Sequence, residues 1–227
     1  MTHSLPIRPI IVGKNLIKRL GGRKEGTFSR SLRTKVHNGV RTLYRLMNPH
    51  LLFVKEGIER VEGGRVYLNG GMTFKSPKLS RTLRDSEELI CFLTTIGGEI
   101  DFEINRMMRH GHLSQAFIMD ALGSVAVESV AKQFHQHMER QYSENGKAVT
   151  LRFSPGYCDW PIEEQRKLFE LFDPNTAGIE LNDSCLMTPR KSISAIFGVY
   201  HISDDSAQPP YNPCVDCTKT DCPSRRA

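Results

Sequence analysis

Residues 148–157 read AVTLRFSPGY, a stretch in which a predicted strand runs directly into a tight turn. Apolar residues occupy every second position of its first half, at Val149, Leu151 and Phe153. This period of two is typical of a half-buried strand, and it places Arg152 on the face opposite the apolar row. The sequence therefore predicts a guanidinium that projects from the end of a strand.

The second half of this stretch predicts a rigid turn that exposes backbone groups. Pro155 fixes its own φ and Gly156 accepts a positive φ, as in a Pro-Gly turn. An arginine fork beside such a turn suits a ligand that carries a carboxylate, and Tyr157 would form an amphipathic lid. An ordinary β-turn beside a solvated arginine has the same spacing, so the pattern alone leaves both interpretations open.

Hydrophobic periodicity elsewhere predicts a mixture of helices and strands. Helical spacing of apolar residues predicts helices at 28–47, 99–109 and 113–141. Apolar runs and alternation predict strands at 89–96, 179–181, 185–187 and 192–200. These elements alternate irregularly, which favours an α+β fold over a wound parallel sheet.

Two local signals predict turns and caps. The stretch Asn69-Gly70-Gly71 lies between apolar residues 66–68 and 72–74, which predicts an antiparallel hairpin. Asp159 precedes Trp160-Pro161, and an acidic cap before a proline in the first turn predicts that a helix begins there.

The longest predicted helix carries a polar stripe beside its apolar face. The stripe consists of Asp120, Ser124, Glu128 and His135. Small residues on the same helix would let another backbone or a ligand approach, and these are Gly123, Ala126 and Ala131. A carboxylate among such neighbours is either paired with a cationic group or kept in water, so Glu128 is a candidate ligand residue or an ordinary solvated side chain.

Charge is distributed unevenly along the chain. The 227 residues carry a net charge of +6, but the first fifty hold eleven basic side chains and one acid, and the other 177 hold 20 and 24. The basic segment therefore predicts an acidic partner. No recognition-helix motif or interleaved aromatic residues accompany it, so we expect no nucleic acid partner. No long apolar run occurs, so we expect a cytoplasmic protein without a membrane anchor.

Three cysteines, Cys214, Cys217 and Cys222, lie within nine residues near the C-terminus. Thiolates at this spacing converge on one ion, which predicts a metal site for zinc or an iron–sulfur cluster. Cys158 and Cys185 are both candidates for a fourth ligand. A redox-active thiol pair and unliganded thiols are the alternatives.

Several separated motifs are similar to one protein family. RFSPGY is followed by DWPIEEQRKLFELF and LMTPRKSISAIFGVY, and is preceded by TTIGGEIDFEI and MDALGSVAVESVAKQFHQHM. Together they resemble the activation domain of cobalamin-dependent methionine synthase, over roughly residues 80–202. No catalytic, folate-binding or cobalamin-binding module accompanies them, so we expect a stand-alone version of that domain.

The resemblance implies a single crescent-shaped α+β domain with its ligand along a groove. A twisted, mainly antiparallel sheet and flanking helices would form this domain. We expect it to span residues 1–202, including the basic segment 1–50, with a linker and Cys-rich tail at 203–227.

The resemblance also implies a site for S-adenosylmethionine. Its residues are Glu128, Arg152, Phe153, Ser154, Gly156 and Tyr157. Arg152 would hold the ligand's carboxylate, and Glu128 would hold its amine or ribose. The backbone of residues 153–156 would contact the rest of the amino-acid moiety or the adenine, and Tyr157 would face the corrin. For a further tyrosine of the family's site, Tyr200 and Tyr211 are both candidates.

The resemblance implies that this chain reactivates the cobalamin of a partner protein. Its cobalt(I) state is occasionally oxidised to inert cobalt(II), and recovery needs an electron and a methyl group. We expect this chain to dock over the corrinoid of a methionine synthase or a related corrinoid protein, with a flavodoxin or ferredoxin as electron donor. It would position the methyl donor and would not be a complete enzyme alone.

Two other functions fit the same sequence. The chain would be a metal or iron–sulfur accessory protein for electron transfer if the Cys-rich tail is its active part. It would be a scaffold subunit if it only organises a corrinoid protein and a methyltransferase. Metal analysis with absorbance spectra distinguishes the first of these from a methyl-donor site.

Overall fold

The computed structural model of the chain describes residues 1–21, 28–173, 178–202 and 211–218. Its strands are β1 (His3–Ser4), β2 (His50–Glu62), β3 (Arg65–Leu68), β4 (Thr73–Lys75), β5 (Glu88–Thr95), β6 (Lys147–Val149), β7 (Glu180–Leu181), β8 (Met187–Thr188) and β9 (Ser192–His201). The large sheet has the order β4-β3-β2-β5-β9-β6, and β1 also pairs with β2. β7 and β8 form a separate pair. All these pairings are antiparallel.

Helices flank this sheet. They are α1 (Gly13–Arg19), α2 (Arg30–Leu46), α3 (Pro77–Thr82), α4 (Glu99–Arg109), α5 (Leu113–Ser143) and α6 (Gln165–Glu170), the last preceded by a 3-10 turn at Ile162–Glu164. The α+β class is confirmed, as are the three long helices and the hairpin of β3 and β4. In the ranges that the structure describes, no helix is long and apolar enough to cross a bilayer.

β5 lies in the middle of the large sheet and is buried on both faces, which explains its nearly continuous apolar sequence. Ile90 and Phe92 pack into the core beneath α5, α4 and α2. Leu89, Cys91 and Leu93 pack on the other face, against α3 and α6. The sheet therefore separates two cores, and α5 lies over one of them.

The predicted strand around residues 148–153 is wrong in its second half, because the chain contains an extra residue there. Val149 pairs with Val199, but Phe153 forms only a single bridge, with Ile196. Between these two pairs, three residues on one strand (150–152) oppose two on the other (197–198), the arrangement of a β-bulge. A bulge shifts the alternation of side chains by one residue.

Thr150 accounts for the irregularity. Its N–H donates to the Gly198 carbonyl at 2.9 Å, and its hydroxyl accepts the Gly198 N–H at 2.9 Å in place of a backbone carbonyl. Thr150 is consequently buried and Leu151 only half-buried, the reverse of the predicted pattern. Beyond the bulge, Phe153 enters the core beside α3 and Arg152 reaches α5 on the other face, as predicted.

Asp159 does not cap the helix that follows it, so that prediction is wrong. Its Oδ1 accepts the Ser76 hydroxyl at 2.5 Å, and its Oδ2 accepts the Lys78 N–H at 3.0 Å. Ser76 is itself the N-cap of α3. Asp159 therefore stabilises the start of a helix 81 residues earlier in the chain, where unpaired N–H groups favour a carboxylate.

The basic N-terminal segment packs along α5. The Ile10 N–H donates to Ser129 Oγ at 2.9 Å, and Gln133 Nε2 donates to the Arg8 carbonyl at 3.0 Å. Residues before α1 are therefore part of the folded domain, because their backbone is hydrogen-bonded to the long helix.

Candidate functional site

Arg152 and Glu128, two of the predicted ligand residues, contact each other directly. Arg152 Nη2 donates to Glu128 Oε2 at 2.7 Å. The arginine side chain is 13% exposed, whereas the glutamate is 45% exposed. α5 presents the glutamate from its polar stripe, and the bulge after β6 delivers the arginine to it. A nearly buried cation is thus held under a carboxylate that still faces solvent.

Lys191 forms a second pair of the same kind on α5, and the sequence reasoning missed it. Its Nζ donates to Asp120 Oδ1 at 2.6 Å and to Ser124 Oγ at 3.0 Å. The lysine side chain is 9% exposed and the aspartate 49%. Because Lys191 lies 71 residues from Asp120, no local pattern signals the pair. The polar stripe therefore has one nearly buried cation beside Asp120 and another beside Glu128.

The glycine within α5 makes room for this lysine. A Cβ at Gly123 would lie 3.1 Å from Lys191 Cγ and 3.3 Å from Ile100 Cγ2. Ala126 and Ala131 are fully buried in the core beneath the helix. The small residues therefore have a packing role, as expected for the glycine, because neighbouring parts of this chain approach the helix closely there. Ala126 and Ala131 are buried and are not available to a ligand.

The predicted tight turn is present at residues 154–157. The Tyr157 N–H donates to the Ser154 carbonyl at 3.3 Å, and Gly156 has a φ of 84°. A Cβ at Gly156 would lie 3.0 Å from Ile162 Cδ1, so both conformation and space favour glycine. Tyr157 is 51% exposed. The turn thus presents a tyrosine ring to solvent from a fixed backbone.

Trp160 anchors this turn to the core. The Trp160 backbone carbonyl accepts the Gly156 N–H at 2.9 Å, and the Trp160 backbone N–H donates to the Tyr157 carbonyl at 3.1 Å. The indole is 1% exposed and packs edge-on against Phe74, with ring centroids 5.4 Å apart. The turn is therefore held by backbone hydrogen bonds and by a buried aromatic side chain.

The backbone of this stretch is only partly available to a ligand. Phe153 exchanges both its N–H and its carbonyl with Ile196, each at 2.8 Å, and the Gly156 N–H is bonded to Trp160. Among the described residues, the Ser154 N–H has no hydrogen-bond partner. Ser154 is thus the backbone donor of the turn that a ligand would meet.

A family model described as the activation domain of vitamin B12-dependent methionine synthase matches residues 80–208, more than half of the chain. The chain belongs to this family. Its structure is similar to a crystal structure of the MetH reactivation domain bound to AdoHcy, with a TM-score of 0.60 and 17% identity. That similarity covers 82% of this chain and 70% of the other, and it shows a shared fold. No curated protein sequence matches the chain significantly.

In this activation domain, His135 and the two candidate tyrosines have contacts of their own. His135 Nε2 lies 2.8 Å from the Thr150 carbonyl, so it holds the bulge that positions Arg152. Tyr200 lies in β9 opposite Ala148, and burial raises its pKa. The Tyr211 ring lies beneath the guanidinium of Arg81, 3.8 Å away. Neither tyrosine is thereby assigned to the site.

The cysteines of the activation domain differ in their surroundings. Cys185 is 3% exposed in the fold, whereas Cys158 is exposed beside the tight turn. Cys214 and Cys217 lie in the described part of the tail, and Cys222 lies outside the described residues. Within those described residues, no group of three His, Cys, Asp or Glu side chains is arranged to hold a metal ion.

Proposed function

We propose that this chain binds S-adenosylmethionine on the face formed by α5 and residues 152–157. The observation that carries the proposal is the Arg152–Glu128 pair, in which a half-exposed carboxylate lies 2.7 Å from a nearly buried guanidinium. An amino-acid moiety has a carboxylate and an ammonium group on one carbon, so it suits both members of the pair at once. The AdoHcy bound to the MetH reactivation domain contains such a moiety, which supports the proposal.

Arg152 is suited to receive the ligand's carboxylate. A guanidinium has five N–H donors in a planar fork, and a carboxylate accepts two of them in parallel. Because the side chain is mostly buried and is already held by Glu128, binding would cost little side-chain entropy. The Ser154 N–H would add a neutral donor from the turn.

The polar stripe of α5 offers room for the rest of the ligand. At 1.5 Å of rise per residue, Asp120 lies about 12 Å from Glu128 along the helix. Its carboxylate is half exposed, and it would accept hydrogen bonds from ribose hydroxyls. Lys191 keeps that carboxylate in place. Tyr157, on the exposed turn, would face the corrin of the partner.

We propose that the bound ligand donates its methyl group to the cobalt of a partner's cobalamin. An electron from a flavodoxin or a ferredoxin reduces cobalt(II) to cobalt(I), and the cobalt electron pair attacks the methyl carbon. The bond between carbon and sulfur breaks, giving methyl–cobalt(III) and S-adenosylhomocysteine. No proton moves, so this chain needs no general acid or base, and its contribution is to orient the methyl group.

The exposed face of α2 would dock the acidic surface of a partner. It carries Arg30, Arg33, His37, Arg41 and Arg45, which line two shallow surface depressions. In the described part of the chain, none of these arginines forms an ion pair. Unpaired charges on one helix face attract an oppositely charged surface and accelerate its association.

The experiment uses a methionine synthase that retains its cobalamin domain but lacks its own activation domain. It is prepared as cobalt(II), and titanium(III) citrate supplies electrons in the presence of S-adenosylmethionine. We expect the absorbance of methylcobalamin to develop only when this chain is added, and to fail with Arg152→Ala. An equal rate of methylation with and without the chain would overturn the proposal.

A further inference from the structure

β9 is hydrogen-bonded to β5 along one of its edges. Successive residues of a strand direct their backbone N–H and C=O groups to opposite edges. The Lys191 carbonyl accepts the Ile96 N–H at 3.2 Å, so Lys191 and every second residue after it point towards β5. The backbone groups of Ser192 and Ser194 therefore point to the opposite edge of β9.

The segment before the tight turn covers only the second half of this opposite edge. Ile196 exchanges two backbone hydrogen bonds with Phe153, each at 2.8 Å. Among the residues that the structure describes, no pairing with β9 follows Phe153, because the tight turn begins there. The first half of the edge, at Ser192 and Ser194, is consequently left without a neighbouring strand.

Ser194 has unpaired backbone groups although it is buried. The residue is 3% exposed, and in the described ranges neither its N–H nor its carbonyl has a hydrogen-bond partner. Its hydroxyl lies on the other face of the sheet and donates to Gln165 Oε1 at 2.9 Å. Buried backbone groups are nearly always paired in folded proteins. Ser194 therefore offers one donor and one acceptor to a ligand.

The open edge of β9 begins close to the proposed amino-acid site. Arg152 precedes Phe153, which pairs with Ile196, and Ser194 lies two residues from Ile196. At about 3.3 Å of rise per residue, this separation is about 7 Å along the strand. The thioether arm and the ribose of S-adenosylhomocysteine span such a distance between a carboxylate at Arg152 and a base at Ser194.

We propose that the open edge of β9 recognises the adenine ring of the ligand, an inference that rests on the proposed S-adenosylmethionine site. The Ser194 N–H would donate to adenine N1, and the Ser192 carbonyl would accept from the exocyclic amine. Both backbone groups point to the same edge, and adenine presents one acceptor beside one donor on its Watson–Crick edge. Hypoxanthine reverses both roles, so the same edge would reject an inosyl ligand.

Calorimetric titration of the full chain with two ligands is the first test. S-adenosylhomocysteine and S-inosylhomocysteine share the amino-acid moiety and the ribose and differ only in the base. We expect the inosyl ligand to bind at least about 100-fold more weakly, because both backbone groups would face groups of their own kind. Equal affinities would overturn adenine recognition and leave the proposed function standing. Failure of both ligands to bind would overturn the proposed function itself.

The variant Ser194→Ala tests whether the backbone or the hydroxyl recognises the base. It removes the hydrogen bond to Gln165 and keeps the backbone N–H and carbonyl. We expect the ratio of the affinities for the adenosyl and inosyl ligands to be the same in this variant as in the wild type, whatever the change in stability. A ratio near one in folded Ser194→Ala would assign the discrimination to the hydroxyl and overturn recognition by the backbone.

The amide proton of Ser194 gives the most direct readout of the proposed hydrogen bond. In isotope-labelled protein, its NMR resonance should move downfield when S-adenosylhomocysteine binds, because the N–H gains an acceptor. Gly198 is the control, since its N–H already donates to Thr150 Oγ1 at 2.9 Å, and its resonance should stay in place. An unmoved Ser194 resonance in protein saturated with S-adenosylhomocysteine would overturn the proposal.

Discussion

Arg152 Nη2 lies 2.7 Å from Glu128 Oε2, although 24 residues separate the two side chains in the sequence. The arginine is nearly buried and the glutamate is half exposed, so the carboxylate meets solvent while the guanidinium lies directly beneath it. An ion pair at such a surface contributes about 1 kcal/mol or less to folding. The pair therefore contributes little to the free energy of folding, and its two opposite charges suit a zwitterionic ligand.

Replacement of Arg152 tests the carboxylate contact. We expect Arg152→Ala to weaken S-adenosylmethionine binding by about 1.5–3 kcal/mol, because hydrogen bonds to charged groups are lost. Arg152→Lys should lose part of this affinity, since an ammonium cannot form the planar fork. Calorimetric titration measures both. Unchanged affinity in folded Arg152→Ala would remove the residue from the site.

Replacement of Glu128 tests the ammonium contact. If Glu128 holds the amine, Glu128→Gln should weaken S-adenosylmethionine and S-adenosylhomocysteine equally, because both carry that amine and only the first carries a sulfonium. Glu103→Gln is the control, since Glu103 forms a comparable pair with Arg106 on α4 at 2.7 Å. A loss confined to S-adenosylmethionine would show instead that Glu128 senses the sulfonium.

Packing of α3 against β9 predicts a stability difference between two glycines. A Cβ at Gly198 would lie 2.6 Å from Leu83 Cδ2 and would also clash with Ser86, whereas a Cβ at Gly70 would have no neighbour within 4 Å. We expect Gly198→Ala to lower the free energy of unfolding by about 1–3 kcal/mol. Gly70→Ala should change it by less than about 0.5 kcal/mol. Urea denaturation compares the two, and similar values would contradict the packing.

Charge reversal on α2 tests partner docking. We expect Arg30→Glu with Arg41→Glu to slow association with the cobalamin-domain protein by about tenfold at low salt, and the difference to shrink as salt rises. Arg65→Glu with Lys75→Glu is the control, because these paired residues lie on β3 and β4 and change the net charge equally. Stopped-flow or surface-based kinetics would measure the rates. Equal slowing in both double variants would indicate a general charge effect instead.

Local periodicity was sufficient to predict most of the elements. α2, α4 and α5 have apolar faces with helical spacing, and β5 is apolar from Leu89 to Leu93 because both of its faces are buried. The hairpin of β3 and β4 follows from its Asn-Gly turn. These features depend on residues near one another in the chain, so their signals are present in a single sequence.

The features that could not be predicted depend on distant residues. The strand after residue 149 ends early because the Thr150 hydroxyl replaces a backbone acceptor for Gly198, 48 residues away. Asp159 resembles a local helix cap but binds α3 instead. Lys191, buried against Asp120, has no signal in its own neighbourhood. In each case a polar side chain forms a hydrogen bond or an ion pair with a residue that is distant in the sequence.

Titration of S-adenosylmethionine into the purified chain tests the proposed function most directly. Calorimetry would compare the wild type with Arg152→Ala and with Arg60→Ala, since Arg60 is an arginine paired with Glu62 at 2.8 Å on β2. We predict one ligand bound per chain by the wild type and by Arg60→Ala, with binding weakened in Arg152→Ala. A folded wild-type protein that binds no S-adenosylmethionine, or an Arg152→Ala variant that binds it as tightly, would contradict the assignment of this site.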